Sequence, residues 1–125
     1  MKKIIFVDRD GTILKEPMDQ QIDSLDKIEF VDGAIPALRS LQSAGWQLAL
    51  VSNQDGLGTS SFPTEDFSKV QEFMLKVLQS CRIEFLEVLI CPHFEAEACL
   101  CRKPRTGLVK NILAKGFDHS RSAVV

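Results

Sequence analysis

One stretch of sequence decides the fold: Ile4-Ile5-Phe6-Val7-Asp8-Arg9-Asp10-Gly11-Thr12. Its apolar residues predict a buried strand over residues 3–7, and two carboxylates follow directly. Asp8 and Asp10 are separated by a single residue, so both should project from the same edge of the sheet. Gly11 lacks a Cβ, which lets the backbone turn sharply and approach an anion. This arrangement suits phosphoryl transfer, in which one carboxylate attacks phosphorus and the other handles the proton of the leaving oxygen.

This turn has two other interpretations, a plain turn and a calcium-binding loop. Asp and Gly are ordinary turn formers, so the segment could be a plain turn. A calcium loop of the EF-hand type fits poorly, because it needs glycine sixth and glutamate twelfth, whereas counting from Asp8 places Gly11 fourth and Asp19 twelfth. Adjacent carboxylates repel when both are ionised, so in a phosphatase we expect Asp8 ionised and Asp10 protonated.

Length and composition limit the class of protein. The 125 residues predict one domain over residues 1–125, with 45% hydrophobic and 26% charged residues, as in ordinary globular proteins. A formal net charge of −2 argues against a nucleic-acid partner. No apolar run is long enough to span a membrane, and the N-terminus lacks a secretory signal, so we expect a cytoplasmic protein.

Strand and helix patterns alternate along the chain. After the first strand, further strands are predicted at residues 47–52, 87–90 and 122–125, with irregular polar segments at 14–32 and 53–63. One helix is predicted from Pro36 to about Ala44 with Gly45 as its C-terminal cap, and another over residues 106–115 closed by Gly116. Between them, a helix capped by Thr64 should have an apolar face formed by Phe67, Val70, Met74, Val77, Leu78 and Cys81. The predicted fold class is α/β, a parallel sheet flanked by helices. In such sheets, ligands bind beyond the carboxyl ends of the strands.

Polar residues at later strand ends could complete a phosphate site. The Ser52 hydroxyl, with nearby backbone N–H groups, could hold phosphate oxygens, although a serine there is often only a capping residue. Lys103 could neutralise phosphate charge, although most lysines are merely solvated. Both interpretations depend on the rest of the set.

Four residues in one loop have the spacing of a metal site: Cys91, His93, Cys99 and Cys101. One imidazole and three thiolates match a closed tetrahedral zinc site, and sulfur ligands favour zinc over magnesium or calcium. Reduced core thiols are the alternative, but such crowding within a single loop argues against it. With every position filled by protein, the zinc would be structural.

Together these motifs resemble the haloacid dehalogenase (HAD) superfamily of aspartate-based phosphohydrolases, without a large cap domain. The match lies in Asp8-x-Asp10-Gly11-Thr12 after a strand, Ser52 ending the next, and Lys103-Pro104 before a later helix. More closely, residues 53–59, 61–63 and 91–104 resemble the histidinol-phosphate phosphatase domain of histidine biosynthesis. A sister group that hydrolyses heptose bisphosphates generally has a longer zinc loop and is the second alternative.

The resemblance implies a role for each site residue. Asp8 would be the nucleophile that forms an aspartyl-phosphate, and Asp10 would protonate the leaving group and then activate water. Mg²⁺ would be held by the Asp8 carboxylate and the Asp10 backbone carbonyl, while Ser52 and Lys103 bind the phosphoryl group. The residues placed near the substrate, L-histidinol phosphate, are Glu16, Asn53 and Arg102.

One departure from the family pattern concerns the end of the sequence. The family supplies a further acidic motif after its fourth core strand, and none occurs before Val125. The resemblance therefore predicts a truncated N-terminal portion, whose parent could carry a fused dehydratase domain. A catalytically silent, zinc-stapled module is the alternative from another functional class.

Overall fold

The computed structural model describes residues 3–19, 21–94, 99–101, 103 and 123–124. For residues 123 and 124 it describes the backbone only. Within these residues, four parallel strands form one sheet: β1 (Ile4–Val7), β2 (Gln47–Asn53), β3 (Phe85–Cys91) and β4 (Ala123–Val124). They lie in the order β3-β2-β1-β4. The predicted parallel α/β architecture is confirmed, although β3 begins earlier than the predicted Glu87.

The first helix, α1 (Ala34–Ser43), begins before Pro36, the predicted start. Proline is tolerated there because the first turn of a helix has no intrahelical partner for its N–H groups. Gly45 closes α1 as predicted, but it follows the C-cap position, which Ala44 occupies. The φ of 93° at Gly45 is left-handed, its N–H donates to the Gln42 carbonyl, and the Trp46 N–H donates to the Leu41 carbonyl. Both bonds satisfy the last carbonyls of α1.

The second helix, α2 (Thr64–Ser80), corrects one prediction about its start. Thr64 is the first helical residue and not the cap; Pro63 occupies the cap position, and no side chain caps the helix. Pro63 suits the cap position because its carbonyl accepts a hydrogen bond from the Phe67 N–H at 3.3 Å. Proline also has no backbone N–H that would need a partner there. The predicted apolar face is largely correct, but it also buries Gln71.

Both helices pack on the same face of the sheet. The two crossovers, from β1 to β2 and from β2 to β3, run in the same direction, so the usual right-handed connection places both helices on one side. The core there joins sheet residues with residues from α1 and α2, among them Val7, Leu50, Leu38, Met74 and Leu78. Sheet residues on the opposite face form a second cluster that includes Phe6 and Val51.

The segment after β1 departs from the expected polar loop. Ile13, Leu14 and Ile22 are at most 1% exposed and belong to the main core. A short 3-10 turn, Leu25–Lys27, interrupts the segment. The segment thus folds back against α2 and forms one wall above the end of β1.

The helix predicted over residues 106–115 and its Gly116 cap lie outside the described residues. None of the helices that the structure does describe combines the length and the apolar character needed to cross a bilayer.

Candidate active site and metal cluster

A cleft of about 510 Å³ opens beyond the carboxyl ends of β1 and β2. This is where ligands bind in parallel α/β sheets. Six of the polar residues that line it are Asp8, Asp10, Glu16, Asn53, Gln54 and Lys103. The structure therefore brings five predicted site residues together, with Gln54 as an addition.

Asp8 and Lys103 form an ion pair in this cleft. The Lys103 Nζ lies 3.1 Å from Asp8 Oδ1, and both side chains are about one-third exposed. Lys103 Nζ also donates to the Val51 carbonyl at 2.9 Å, and the Arg9 N–H donates to Asp8 Oδ1 at 2.8 Å. Only one oxygen of Asp8 takes part in these contacts. Among the described residues, Oδ2 takes no part in these contacts and could attack a phosphorus atom or bind a cation.

Asp10 is held by a residue that sequence reasoning missed. Arg9 is fully buried, and its Nε donates to Asp10 Oδ1 at 2.6 Å. Its Nη2 donates to Asp10 Oδ2 at 3.3 Å, and the guanidinium lies 5.1 Å from the centre of the Phe67 ring. A buried charge is tolerated only when it is paired and hydrogen-bonded. Asp10 is therefore one of the partners that let Arg9 lie inside the protein, together with Gln54 and Gln71.

Gln54 links Asp10 to Ser52. Its Nε2 donates to Asp10 Oδ2 at 2.9 Å and to Ser52 Oγ at 2.8 Å, and its Oε1 accepts from Arg9 Nη2 at 3.3 Å. Ser52 is only 1% exposed and lies behind Gln54 instead of lining the cleft. For the predicted contact with phosphate, a phosphate oxygen in the cleft would have to pass the Gln54 amide to reach the Ser52 hydroxyl.

Asn53 fixes the backbone of Lys103. Its Oδ1 accepts from the Lys103 N–H at 3.0 Å, and its Nδ2 donates to the Lys103 carbonyl at 3.4 Å. Both polar atoms of the Asn53 side chain thus bond to the backbone of Lys103, and the contact of Asn53 with substrate stays a prediction. Glu16 is exposed at the cleft wall, with its Oε2 3.9 Å from the point where a Cβ on Gly11 would stand. Arg102 lies outside the described residues.

The four predicted zinc ligands converge. Their ligand atoms, from Cys91, His93, Cys99 and Cys101, all lie within 4.8 Å of one another. The Cys101 sulfur lies 2.7 Å from that of Cys91 and 3.2 Å from His93 Nδ1, and the thiols are free of disulfides. Cys91 ends β3 and is fully buried, so the sheet supplies the rigid side of the cluster.

The electrostatics of the cluster favour a cation. The pKa of the Cys101 thiol is raised to about 12, first by burial and then by the neighbouring thiols of Cys91 and Cys99. Each of these causes penalises a thiolate that has no positive charge beside it. Zinc bonds of about 2.0–2.3 Å would place tetrahedral ligand atoms about 3.3–3.8 Å apart. The Cys91 and Cys99 sulfurs lie within this range at 3.5 Å, whereas the 2.7 Å between the Cys91 and Cys101 sulfurs would have to widen around the ion. The donor set therefore fits zinc.

The cleft acids fit Mg²⁺ less completely. Asp8 and Asp10 supply oxygen ligands of the type that magnesium prefers. Within the described residues, however, the cysteine–histidine cluster is the only group of three or more potential ligand side chains, so no third acid joins this pair.

The metal cluster reaches the cleft through Phe94. This residue follows His93, and its half-exposed ring lines the cleft. A Cβ on Gly56 would stand 2.5 Å from Phe94 Cζ, so the ring lies directly against the Gly56 backbone. The loop after β2 and the loop after β3 thus meet at this contact.

Of the residues that sequence reasoning missed, one carried a usable signal. Gln71 lies four residues after Phe67 and three before Met74, which is the spacing of the buried face of α2. Arg9 and Gln54 carry no comparable pattern, because the bond between them spans 45 positions of sequence. Gln71 Oε1 accepts from Arg9 Nη1 at 3.0 Å, across 62 positions of sequence.

Comparisons with known proteins agree with this geometry. Residues 3–123 match the family model described as polynucleotide kinase 3 phosphatase. The chain is 54% identical over 113 residues to the histidine biosynthesis bifunctional protein HisB of Legionella pneumophila (strain Lens), covering 90% of this chain and 32% of that relative. It thus spans about one-third of the length of this curated relative.

Two solved structures share the fold. The D,D-heptose 1.7-bisphosphate phosphatase from B. bronchiseptica, complexed with magnesium and phosphate, has a TM-score of 0.80 at 28% identity, covering 90% of this chain and 63% of that one. A HAD-like phosphatase from Mesorhizobium loti has a TM-score of 0.81 at 26% identity, covering 98% and 62%. The resemblance to HAD phosphatases predicted from the sequence is confirmed, and the chain belongs to the polynucleotide kinase 3 phosphatase family.

Proposed function

We propose that this domain is a Mg²⁺-dependent phosphomonoester hydrolase that converts L-histidinol phosphate to L-histidinol through an aspartyl-phosphate. The observation that carries the proposal is the Asp8–Lys103 pair at 3.1 Å, beside Asp10, in a cleft at the sheet's carboxyl edge. A carboxylate and an ammonium at this separation provide a nucleophile and a charge partner for the phosphoryl group.

The first half of the reaction transfers the phosphoryl group to Asp8. A carboxylate oxygen of Asp8 attacks phosphorus, the bond from phosphorus to the ester oxygen breaks, and Asp10 donates its proton to the leaving alkoxide. Lys103 stabilises the charge on the phosphoryl oxygens, which is the electrostatic contribution expected to dominate such reactions. Asn53 holds Lys103 in place through its backbone.

The second half regenerates the enzyme. Asp10, now a carboxylate, takes a proton from water as the water oxygen attacks phosphorus. The acyl-phosphate bond to Asp8 breaks, inorganic phosphate leaves, and both aspartates return to their initial states. Mg²⁺, held by the Asp8 carboxylate and the Asp10 backbone carbonyl, would reduce the repulsion between the nucleophile and the phosphate.

We also assign a structural zinc to Cys91, His93, Cys99 and Cys101. The cluster has no position left for a substrate or a reacting water, as expected for a closed site. Its contribution is to fix the loop that carries Phe94 on one side and Lys103 on the other.

The charge of the cleft supports a substrate with a cationic part. Beyond the two aspartates, its described lining contains the carboxylates of Glu16, Asp19 and Asp55, and Lys103 is its only described lysine or arginine. A second phosphate, as in a heptose bisphosphate or a polynucleotide, would meet net negative charge. The ammonium and imidazolium groups of histidinol phosphate would meet favourable charge.

The experiment compares phosphate release from L-histidinol phosphate, a heptose 1,7-bisphosphate and a 3′-phosphorylated oligonucleotide, with and without Mg²⁺. We expect kcat/KM to be highest for histidinol phosphate, and the Asp8→Asn variant to release none above background. Equal background release by the wild type and Asp8→Asn would exclude catalysis and leave the silent zinc-stapled module. A preference for the heptose bisphosphate would favour the sugar phosphatase.

The length of the relative supports a further domain in the whole protein. The relative is described as bifunctional, and this chain covers 32% of it. We propose that a fused dehydratase domain accompanies the phosphatase domain, as the family resemblance implies. Mass analysis of the protein isolated from its own cells, together with a dehydratase assay, tests this.

A further inference from the structure

We propose that Arg9 is a positioning residue that orients the carboxyl group of Asp10 for proton transfer, with Gln54 and Gln71 holding the arrangement on either side. The inference rests on the proposed function, since it concerns how Asp10 performs its step. It assigns a role in the reaction to a side chain that does not reach the cleft surface.

The contacts distinguish the two oxygens of Asp10. Oδ1 accepts the shortest contact, 2.6 Å from Arg9 Nε. Oδ2 accepts two longer ones, 3.3 Å from Arg9 Nη2 and 2.9 Å from Gln54 Nε2. Gln54 lines the cleft and Arg9 is fully buried, so Oδ2 lies on the cleft side. Oδ2 is therefore the oxygen that exchanges a proton with the leaving group, and the proton takes the place of the longer contact, 3.3 Å from Arg9 Nη2.

Arg9 can hold this orientation because it is fixed on its other sides. Its Nη1 donates to Gln71 Oε1 at 3.0 Å, and its plane lies over the Phe67 ring with 5.1 Å to the centroid. A planar guanidinium with fixed donor directions sets the carboxylate plane in a way that a lysine ammonium cannot. Both fixing residues belong to α2, so the helix transmits the alignment of the core to the catalytic edge.

Gln71 accepts a hydrogen bond from Arg9 but leaves its own amide donor unpaired among the described residues. Its buried Nε2 has no hydrogen-bond partner within the described residues. A buried side-chain amide with one unused donor is unfavourable, and an apolar residue of similar size would avoid it. The single bond from Arg9 is what this position gains from a glutamine.

Arg9 and Gln54 also connect Asp10 with the phosphate side of the site. Gln54 accepts from Arg9 Nη2 and donates to both Asp10 Oδ2 and Ser52 Oγ. One buried network thus fixes the acid and the end of β2 relative to each other. Loss of the fork from Arg9 should disturb proton transfer before it disturbs binding.

The leaving group separates this role from a purely structural one. Release of p-nitrophenolate needs no proton, whereas release of the histidinol alkoxide needs the proton of Asp10. In the full chain with Mg²⁺ and zinc, we expect Arg9→Lys to lower the first-turnover rate on histidinol phosphate by about 10²-fold, the lower end of general acid–base contributions. The burst of p-nitrophenol from p-nitrophenyl phosphate should stay within about threefold of wild type, followed by slow turnover because water activation still needs Asp10.

A second variant guards against misfolding of Arg9→Lys. Gln71→Leu removes the unused donor, but it also leaves Arg9 Nη1 without its acceptor. Because these two effects on stability oppose each other, its melting temperature should fall less than that of Arg9→Lys. It should show the same leaving-group selectivity to a smaller degree, and KM should change little in both variants. Equal loss on both substrates in Gln71→Leu, with an active wild type, overturns the inference alone. A wild type that is inactive on both substrates overturns the proposed function and the inference with it.

Discussion

The ring of Phe94 lies directly against the backbone of Gly56, closely enough that a Cβ at position 56 would stand 2.5 Å from Phe94 Cζ. Gly56 follows β2 in the chain, whereas Phe94 follows the metal-cluster residue His93. The contact therefore joins the wall of the cleft to the metal cluster. It makes the shape of the cleft depend on a residue with no side chain.

Gly56→Ala should displace Phe94 and distort the cleft. The φ of 74° at this position costs a non-glycine residue about 1–2 kcal/mol, and the steric overlap with the ring adds about 1–3 kcal/mol. Gly33→Ala is the matched control, because Gly33 has a φ of 81° with nothing within 4 Å of its Cβ position. We expect Gly56→Ala to lower the melting temperature more than Gly33→Ala, and only Gly56→Ala to raise KM. Identical effects of the two variants would contradict a role for the ring contact.

Lys103→Gln should reduce kcat strongly with little loss of stability. Loss of one charge-stabilising group in an active site typically costs about 10²–10³-fold in kcat. The Asp8–Lys103 pair is about one-third exposed, so it contributes at most about 1 kcal/mol to the free energy of unfolding. Lys69→Gln is the control, since Lys69 is exposed and lies 3.9 Å from a carboxylate oxygen of Glu65. A Lys103→Gln enzyme with wild-type kcat would remove Lys103 from the mechanism.

The parallel sheet and the position of its functional edge could be predicted from the sequence. Apolar runs that end in Asp8, Ser52 and Cys91 mark strands whose carboxyl ends meet, and the spacing of the cysteines and histidine predicted their convergence. These features are local, since each depends on residues close together in the chain. Sequence periodicity therefore suffices to find them.

The environment of Asp10 could not be predicted in this way. Arg9 lies between two acids in a turn and reads as a solvated residue, yet its partners Gln54 and Gln71 are 45 and 62 positions away. Such contacts exist only once α2 packs on the sheet. The segment that carries Ile22 was misjudged for a related reason, because isolated apolar residues in a polar loop show no periodicity.

Cys99→Ser should remove zinc and destabilise the fold. Three thiols and one imidazole complete a tetrahedral site, and loss of one thiolate lowers metal affinity and the folding energy linked to it. Metal analysis should give less than one zinc per chain, and the melting temperature should fall towards that of the chelator-treated wild type. Cys81→Ser is the control, because Cys81 lies at the end of α2 outside the cluster and should keep a full zinc content. Full zinc and unchanged melting in Cys99→Ser would contradict the structural role.

Stability at the extremes of pH should depend on Lys27. Its Nζ lies 2.7 Å from Asp19 Oδ2 and 2.8 Å from Asp23 Oδ1, and these hydrogen bonds lower the pKa of both carboxyls below 3.8. The same bonds, with that to Asp19 first, raise the pKa of Lys27 from 10.5 to about 12. Lowered acid pKa values stabilise the fold above pH 3.8, and this contribution is lost as the pH falls through the folded values. The raised lysine value stabilises the fold below pH 10.5, and this contribution is lost as the pH rises through about 12.

Lys27→Met should therefore be less stable than the wild type at neutral pH, with a difference that shrinks below pH 3.8 and above pH 10.5. Urea unfolding across the pH range measures it, and the difference between variants cancels contributions common to both, including protonation of the metal ligands. Lys15→Met is the control, because Lys15 pairs with Glu29 at 2.7 Å and leaves Asp19 and Asp23 with their cation. Because Lys15→Met removes the partner of one carboxylate and Lys27→Met removes the partner of two, the stability of Lys15→Met in acid should depart less from that of the wild type. If the stability of Lys27→Met falls in acid in the same way as that of the wild type, the two carboxyls gain no stability from Lys27. The bond from Gln21 Nε2 to the Ser61 carbonyl would then be the contact that holds this wall of the cleft.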